Sequence, residues 1–336
     1  MKINDREIGN YLNPYIIAEC SCNHCGDLGL ALEMIEVAKW AGADAVKFQA
    51  YTPDTITLDC NKPDFIIQDG LWKGRTLYEL YKETYTPFEW FPKLFKEAKK
   101  IGIPLFASVF DRSSIDMLNG LDCPAFKIAS MELVDTPLIA YAARTGKPLI
   151  ISTGMGSVQD ISEAYKAVGT TPVAFLHCTS EYPQTVEWSS LSGIEVLRTN
   201  YGETCPIGVS DHTPGNLVVP VAATALGAAI IEKHLKLKDI TGTEDDQFSL
   251  NPDTFKSMVH LIGVTYEAMK VRDFVSNPSR QLRRSLYAVA DIEKGETFTE
   301  ENVRSIRPGY GIAPKNLPRL LGRKATQAYR KGDRIS

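Results

Sequence analysis

Residues 15–50 open with Tyr15-Ile16-Ile17-Ala18-Glu19-Cys20-Ser21, pass through a helical stretch at 29–40, and close on Asp44-Ala45-Val46-Lys47-Phe48-Gln49-Ala50. The outer pieces are short apolar runs, the pattern of strands buried on both faces. The middle piece carries Leu30, Met34, Ile35, Val37 and Ala38 on one side of a helical period. A tight turn cannot join strands in this order. The spacing predicts a parallel pair with the helix as its crossover.

The same unit recurs along the chain. Apolar runs stand at 15–21, 44–50, 104–109, 125–130, 148–154, 173–179, 206–212 and 228–235, eight in all. A second helical pattern, at 88–100, fits between the second and third runs. Eight alternating units predict an α/β fold closed as a (β/α)₈ TIM barrel rather than an open doubly wound sheet. No Gly-x-Gly-x-x-Gly follows the first run, which weighs against dinucleotide binding.

The connection at 51–85 is much longer than the others and includes Gly70-Leu71-Trp72 among several aromatics. That content predicts an ordered lid. Beyond the eighth run, 251–271 reads as a closing helix entered through Pro252-Asp253. The predicted domains are a barrel over 1–271, a polar linker over 272–283, and a small β-rich module over 284–336. The module is close to the lower limit for folding alone, so it is expected to lean on the barrel or on another subunit.

Composition bounds the function. The 336 residues are 44% hydrophobic and 23% charged, with a net charge of −4, which excludes global attraction to nucleic acid or to an anionic membrane. An anionic substrate must be captured by locally placed cations. The first residues lack the apolar core of a signal peptide, and no run approaches the ~20 apolar residues of a membrane span. The longest apolar stretch, 217–231, reads as a buried helix leading into a buried strand. The seven cysteines are scattered and read as reduced thiols, so the expected location is the cytoplasm. Cys20, Cys22 and Cys25 lack a matching zinc-ribbon pair and read as core filler.

Barrels of this type carry their chemistry at the C-terminal ends of the strands. Those ends hold Glu19, Lys47, Gln49, Ser108, Lys127, Ser130, Glu132 and Ser152, then His177, Ser210, His212, Glu232 and His234. Charges inside apolar strands are costly unless paired or used. Lys47 and Lys127 among so many hydroxyls read as a clamp for phosphate and carboxylate. A structural Lys–Glu pair is the alternative, and so is a Schiff-base lysine at Lys127 or Lys233. His212 and His234 end neighbouring strands, and paired imidazoles suit a divalent transition metal; hydrogen-bonded core histidines are the alternative. Asp211 and Glu232 are expected to orient the rings or bound waters. His24, in Asn23-His24-x-Gly26, is a further candidate, and His177 reads equally as interior or catalytic.

Seven stretches in order resemble the sialic acid synthase family. They are Ile17-Ala18-Glu19-x-x-x-Asn23-His24-x-Gly26, Lys47-Phe48-Gln49, Lys127-Ile128-Ala129-Ser130, Ser152-Thr153-Gly154-Met155, His177-Cys178-Thr179-Ser180-x-Tyr182-Pro183, Gly208-x-Ser210-Asp211-His212 and Glu232-Lys233-His234. The C-terminal module is similar to the family's antifreeze-like (SAF) domain. The resemblance covers essentially the whole chain.

It implies a metal-dependent transferase that joins phosphoenolpyruvate to an amino-sugar. His212 and His234 would hold the ion, Mn²⁺ by preference, with Mg²⁺ or Co²⁺ as alternatives. Lys47, Ser108, Lys127, Ser130, Ser152, Ser180 and Ser210 would hold phosphoenolpyruvate. Glu19 would act on the attacking water, while Gln49, Glu132, Tyr182 and Asp245 would contact the sugar. Arg307 would reach from the SAF domain into the barrel of a partner, in a domain-swapped homodimer. Ser180 stands where other branches commonly have asparagine.

Tyr51-Thr52-Pro53-Asp54, the segment around Asp64-Phe65-Ile66-Ile67 and Gly70-Leu71-Trp72, Leu77-Tyr78-Glu79-Leu80-Tyr81, and Phe248-Ser249-Leu250 resemble the pseudaminate branch of this family. That branch implies a 6-deoxy diacetamido hexose, 2,4-diacetamido-2,4,6-trideoxy-β-L-altropyranose, as acceptor. The N-acetylneuraminate and legionaminate precursors remain alternatives, as does a non-catalytic carbohydrate-binding barrel, because one fold hosts many functions.

Overall fold

The structure, a computed structural model, describes residues 1–70, 72–270 and 279–336. The chain divides into two compact units, Met1–Lys270 and Val271–Ser336. Most of the expected linker (272–278), the last residue of the expected closing helix and Leu71 of the lid lie outside the described residues.

The first unit is a closed barrel of eight parallel strands: β1 (Tyr15–Glu19), β2 (Ala45–Ala50), β3 (Leu105–Val109), β4 (Phe126–Ile128), β5 (Leu149–Ser152), β6 (Val173–Cys178), β7 (Ile207–Asp211) and β8 (Ile230–His234). Each strand pairs with its sequence neighbours, and β8 closes onto β1. All eight expected runs are therefore barrel strands. The helices that follow them are α1 (Leu28–Ala41), α2 (Phe91–Ile101), α3 (Arg112–Gly120), α4 (Thr136–Ala143), α5 (Val158–Val168), α6 (Ser192–Tyr201), α7 (Val218–Ala225) and α8 (Pro252–Met269).

Local chemistry sets the helix ends. The Asp27 side chain accepts from the backbone N–H of Gly29 and Leu30 at the start of α1, and Gly42 ends it in the left-handed region at φ 91°. Ala31, Met34, Ile35 and Ala38 form the buried stripe of α1. The helix expected from residue 88 begins instead as a single 3₁₀ turn, Phe88–Trp90, before α2. Pro92 tolerates only the first turn of a helix, which places the α-helical start there.

The long connection after β2 contains two short helices, Pro53–Ile56 and Leu77–Thr84. Thr76 and Glu79 form a reciprocal capping box at the second: the Glu79 carboxylate accepts from the Thr76 N–H, and Thr76 Oγ1 accepts from the Glu79 N–H. Arg75, just before it, is ion-paired to Glu83 and lies 3.5 Å from Glu244 in the loop after β8.

The second unit has its own small core, which includes Leu286, Ile292, Phe298, Val303 and Ile335. Strand β9 (Ser285–Ala288) pairs antiparallel with β10 (Val303–Ile306). Isolated bridges join Tyr287 to Arg334 and Ile292 to Tyr329. No described helix of either unit is long and apolar enough to cross a membrane.

Candidate active site

Strand alternation decides which residues meet at the barrel mouth. Side chains two apart on a strand share a face, so Lys47 and Gln49, Ser210 and His212, and Glu232 and His234 fall on the inward side. Parallel register aligns them: Glu19 pairs with Lys47 and with His234, Gln49 with Ser108, and Ser108 with Lys127. All of them but Glu19 line one cavity of about 380 Å³, within the usual range of small-molecule sites.

One wall is cationic. Lys47 Nζ is ion-paired with Glu19, donates to Ser108 Oγ at 3.0 Å, and lies 3.7 Å from Glu232 Oε1. Lys127 Nζ donates to Ser152 Oγ at 2.7 Å and to the Ile128 carbonyl at 2.9 Å. Ser108 and Ser152 thus accept from lysines, which leaves each hydroxyl hydrogen free for an anion. Burial pulls the Lys47 ammonium down, but Glu19 and Glu232 outweigh it and hold the group above its ordinary value. Lys127 is held below its ordinary value by burial and by Lys47, with Glu232 opposing. Burial pushes Glu232 up, yet Lys47, Lys127 and His234 together keep its carboxyl below the usual range. Both lysines stand beside an ionised carboxylate, and one oxygen of Glu232 has no hydrogen-bond partner among the described residues.

A close approach at Gly154 completes this wall. A β-carbon there would stand 2.2 Å from Ser180 Oγ and 2.9 Å from Ser130 Oγ. Only glycine leaves room for both hydroxyls, and its N–H donates to Ser130 Oγ at 3.1 Å. Ser180 Oγ is buried without a partner among the described residues, next to the cavity rather than on its wall.

The histidines line the same cavity. The rings of His212 and His234 have centroids 5.3 Å apart, and Phe248 meets both edge-on. His212 is buried, and desolvation reinforced by His234 and Lys233 holds its imidazole well below its ordinary value, in the neutral form that ligates metals. Nδ1 of His234 lies 3.2 Å from an Asp245 carboxylate oxygen without a hydrogen bond, buried and otherwise unpartnered among the described residues. A buried imidazole nitrogen and a carboxylate oxygen close together, with the neutral imidazole of His212 alongside, are the donor types a divalent ion takes. No cluster of three or more His, Cys, Asp or Glu side chains able to hold an ion occurs among the described residues. The fit is therefore to an ion held by two imidazoles with most positions open to water or substrate.

Several expectations need correction. Asp211 does not orient the histidine rings. It faces outward, between Ser210 and His212, and its carboxylate accepts from the Thr213 N–H at 2.9 Å and from Lys233 Nζ at 2.8 Å. Lys233 alternates outward in the same way and is fully buried against Asp211, which removes it as a Schiff-base lysine facing the cavity. Glu232 binds Ser210 Oγ at 3.0 Å and faces the lysines rather than the rings.

Glu19 is fully buried behind Lys47, with Oε1 accepting from the Ser21 N–H at 2.8 Å, and is not on the cavity wall. His24 is a loop pin: it accepts from the Gly26 N–H, meets Thr86 Oγ1 at 3.1 Å, and packs between Phe48 and Trp90. Burial lowers its imidazole to about 4. His177 contacts the Ser189 carbonyl at 2.8 Å through Nε2 and is likewise interior. Cys22, expected as core filler, lines the cavity, 3.7 Å from Glu244. All seven cysteines are free thiols, as expected.

Gln49, Glu132, Tyr182 and Asp245 line the cavity together with Lys47, Lys127, Ser108, Ser130, Ser152, Ser210, His212 and His234, all expected there; of the expected serines Ser180 alone is off the wall. Glu132 is half-buried just after β4, and desolvation, partly offset by Lys127, raises its carboxyl to about 7. Arg307 is an exposed residue of the second unit. Sequence reasoning did not single out Tyr51, Trp72, Tyr81 and Glu244 as wall residues. Three of them come from the long connection, whose aromatic content was the available signal.

The fold and mouth define a class: (β/α)₈-barrel enzymes whose mouth carries buried lysines, serines and a histidine pair, here followed by a small β-rich domain. The chain belongs to the NeuB family, whose model matches residues 34–273, and a SAF domain matches 283–336. This is the sialic acid synthase family of the resemblance above. The chain is 43% identical over 339 residues to the pseudaminic acid synthase of Campylobacter jejuni, covering 98% of each chain. It is 40% identical over 331 residues to the pseudaminic acid synthase of Helicobacter pylori, covering 96% of each. A crystal structure of the spore coat polysaccharide biosynthesis protein spsE from Bacillus subtilis superposes with a TM-score of 0.69 at 31% identity, covering 100% of this chain and 97% of that one.

Proposed function

We propose that this chain carries out the pseudaminic acid synthase reaction: phosphoenolpyruvate, 2,4-diacetamido-2,4,6-trideoxy-β-L-altropyranose and water give pseudaminic acid and inorganic phosphate. One observation carries the reading: two buried lysines and four serines share one cavity with a histidine pair. The likeness to two pseudaminic acid synthases supports the choice of sugar.

Lys47 and Lys127, with Ser108, Ser130, Ser152, Ser180 and Ser210, hold the phosphate and carboxylate of phosphoenolpyruvate. A divalent ion held by His212 and His234, Mn²⁺ in the first instance, would supply Lewis-acid polarisation of the open-chain aldehyde. Gln49, Glu132, Tyr182 and Asp245 orient the sugar so that its aldehyde carbon meets carbon 3 of phosphoenolpyruvate. As the new carbon–carbon bond forms, positive charge develops at carbon 2, and the ionised Glu232 stabilises it. Glu232 Oε2 accepts a hydrogen bond from the water that adds at carbon 2. Glu19 acts through Lys47, whose charge it maintains. The bond from carbon 2 to the phosphate oxygen then breaks with its electron pair going to phosphate, as the added water's oxygen becomes the carbonyl oxygen of the product; one water proton goes to the former aldehyde oxygen and the other to the phosphate leaving beside the lysines. Two such chains form a homodimer in which Arg307 of each SAF domain serves the other barrel.

Phosphate release is to be measured with the diacetamido sugar, the legionaminate precursor and N-acetylmannosamine side by side. The highest kcat/KM belongs to the first; preference for either other sugar refutes the assignment. Phosphoenolpyruvate labelled at its bridging oxygen should pass its label to phosphate, and label in the sugar product rules out C–O cleavage. Light scattering should give a dimer, and an active monomer would refute the exchange of domains.

A further inference from the structure

The long connection between β2 and α2 supplies one wall of the cavity, and that wall is chemically lopsided. Ile56, Leu80 and the rings of Tyr51 and Tyr81 line it, and Phe110, just after β3, joins them. Tyr51 packs edge-on to Tyr81 at 5.6 Å and to Phe110 at 5.2 Å, so the aromatic surface is continuous. The Tyr51 hydroxyl is already engaged with Thr84 Oγ1 at 2.7 Å. It presents carbon, not oxygen, to a ligand.

Against this apolar surface stands one unsatisfied donor. Trp72 lines the same cavity, and its Nε1 is buried with no hydrogen-bond partner among the described residues. An indole N–H can only donate. A buried donor left unmet is costly, so it calls for an acceptor on the ligand. A neutral amide carbonyl beside a methyl group satisfies both features at once, the acceptor for the N–H and the carbon for the aromatic wall. A run of hydroxyls does not, because each would bury a donor with nothing to receive it.

We infer that Trp72 is a specificity-determining residue whose indole N–H donates to the carbonyl oxygen of one acetamido group of the sugar, with the acetyl methyl against the aromatic wall. This rests on the proposed reaction and adds the contact that separates a diacetamido 6-deoxy sugar from more hydroxylated acceptors. Such a contact discriminates strongly, because the wrong sugar leaves the N–H unmet.

The test uses the full-length protein loaded with Mn²⁺ and two analogues of the sugar, each with a hydroxyl in place of one acetamido group. Trp72→Phe keeps an aromatic ring and removes the N–H. KM for the diacetamido sugar should rise about tenfold, with KM for phosphoenolpyruvate unchanged. For the analogue that lacks the contacted group, wild type and variant should have the same KM. An unchanged KM for the parent sugar, or an equal rise with every sugar, overturns the inference. If the variant does not fold, wild type alone decides: neither analogue losing about tenfold in kcat/KM also overturns it. Failure of wild type to release phosphate with the parent sugar would instead refute the proposed reaction.

Discussion

Lys233→Met tests whether the outward layer of the barrel is as tightly charge-coupled as its geometry requires. Lys233 and Asp211 are both fully buried, face each other on paired strands, and approach to 2.8 Å. Lys233 Nζ also donates to the Thr213 carbonyl. Removing the ammonium leaves Asp211 with two donors from Thr213, its N–H and Oγ1, but no cation. Breaking a buried pair from one side costs about 3–5 kcal/mol. At about 2–4 °C per kcal/mol for domains of 150–250 residues, the melting temperature should fall on the order of 10 °C.

The double variant Asp211→Asn/Lys233→Met keeps an acceptor for Thr213 and removes both charges. It should recover most of that loss, because the penalty lies in the orphaned charge rather than in the missing contact. Urea melts of wild type, both single variants and the double variant give the coupling directly. Single variants costing under about 1 kcal/mol, or a double variant costing their sum, would refute the reasoning. Below its melting point Lys233→Met should still release phosphate. Complete loss of turnover in the folded variant would revive Lys233 as a nucleophile.

Lys127→Met should raise KM for phosphoenolpyruvate by roughly one to two orders of magnitude, since it removes a charge-assisted contact in a buried site, while KM for the sugar changes little; steady-state kinetics with each substrate varied will check this. Glu132 has its folded carboxyl raised to about 7 from an ordinary 4.5, so its burial penalty is absent below pH 4.5 and complete above about pH 7. Glu132→Gln should therefore stabilise the protein at pH 8 but not at pH 4, and remove an inflection near pH 7 from the pH profile of KM for the sugar. A stability gain equal at both pH values would refute the assignment. Chelator treatment should abolish phosphate release, and Mn²⁺ should restore it in wild type but not in His212→Ala or His234→Ala, with Mn²⁺ binding followed by electron paramagnetic resonance.

Much of the site was legible because its signals are local. Lys47 and Lys127 stand out as charges within apolar runs, and the runs themselves count out the barrel. Two of the corrected expectations share one cause. Asp211 and Glu232 both neighbour the histidines in sequence, but they stand one and two residues from His212 and His234. That odd or even step sends Asp211 outward and Glu232 inward. His24 looked functional because it follows a strand end, but only packing reveals that Phe48, Trp90 and Thr86 enclose it.

By itself, the sequence determined the eight-strand barrel, the separate C-terminal module, the family and the cationic character of the mouth. Each of these is written in the period, spacing or type of residues close together in the chain. Only the tertiary structure decided which side chains meet. It set Asp245 against His234, seated Glu19 behind Lys47, brought Ser130 and Ser180 together over Gly154, and left the Trp72 indole N–H unpaired. Such contacts join loops far apart in sequence, and their geometry exists only once the eighth strand has closed onto the first.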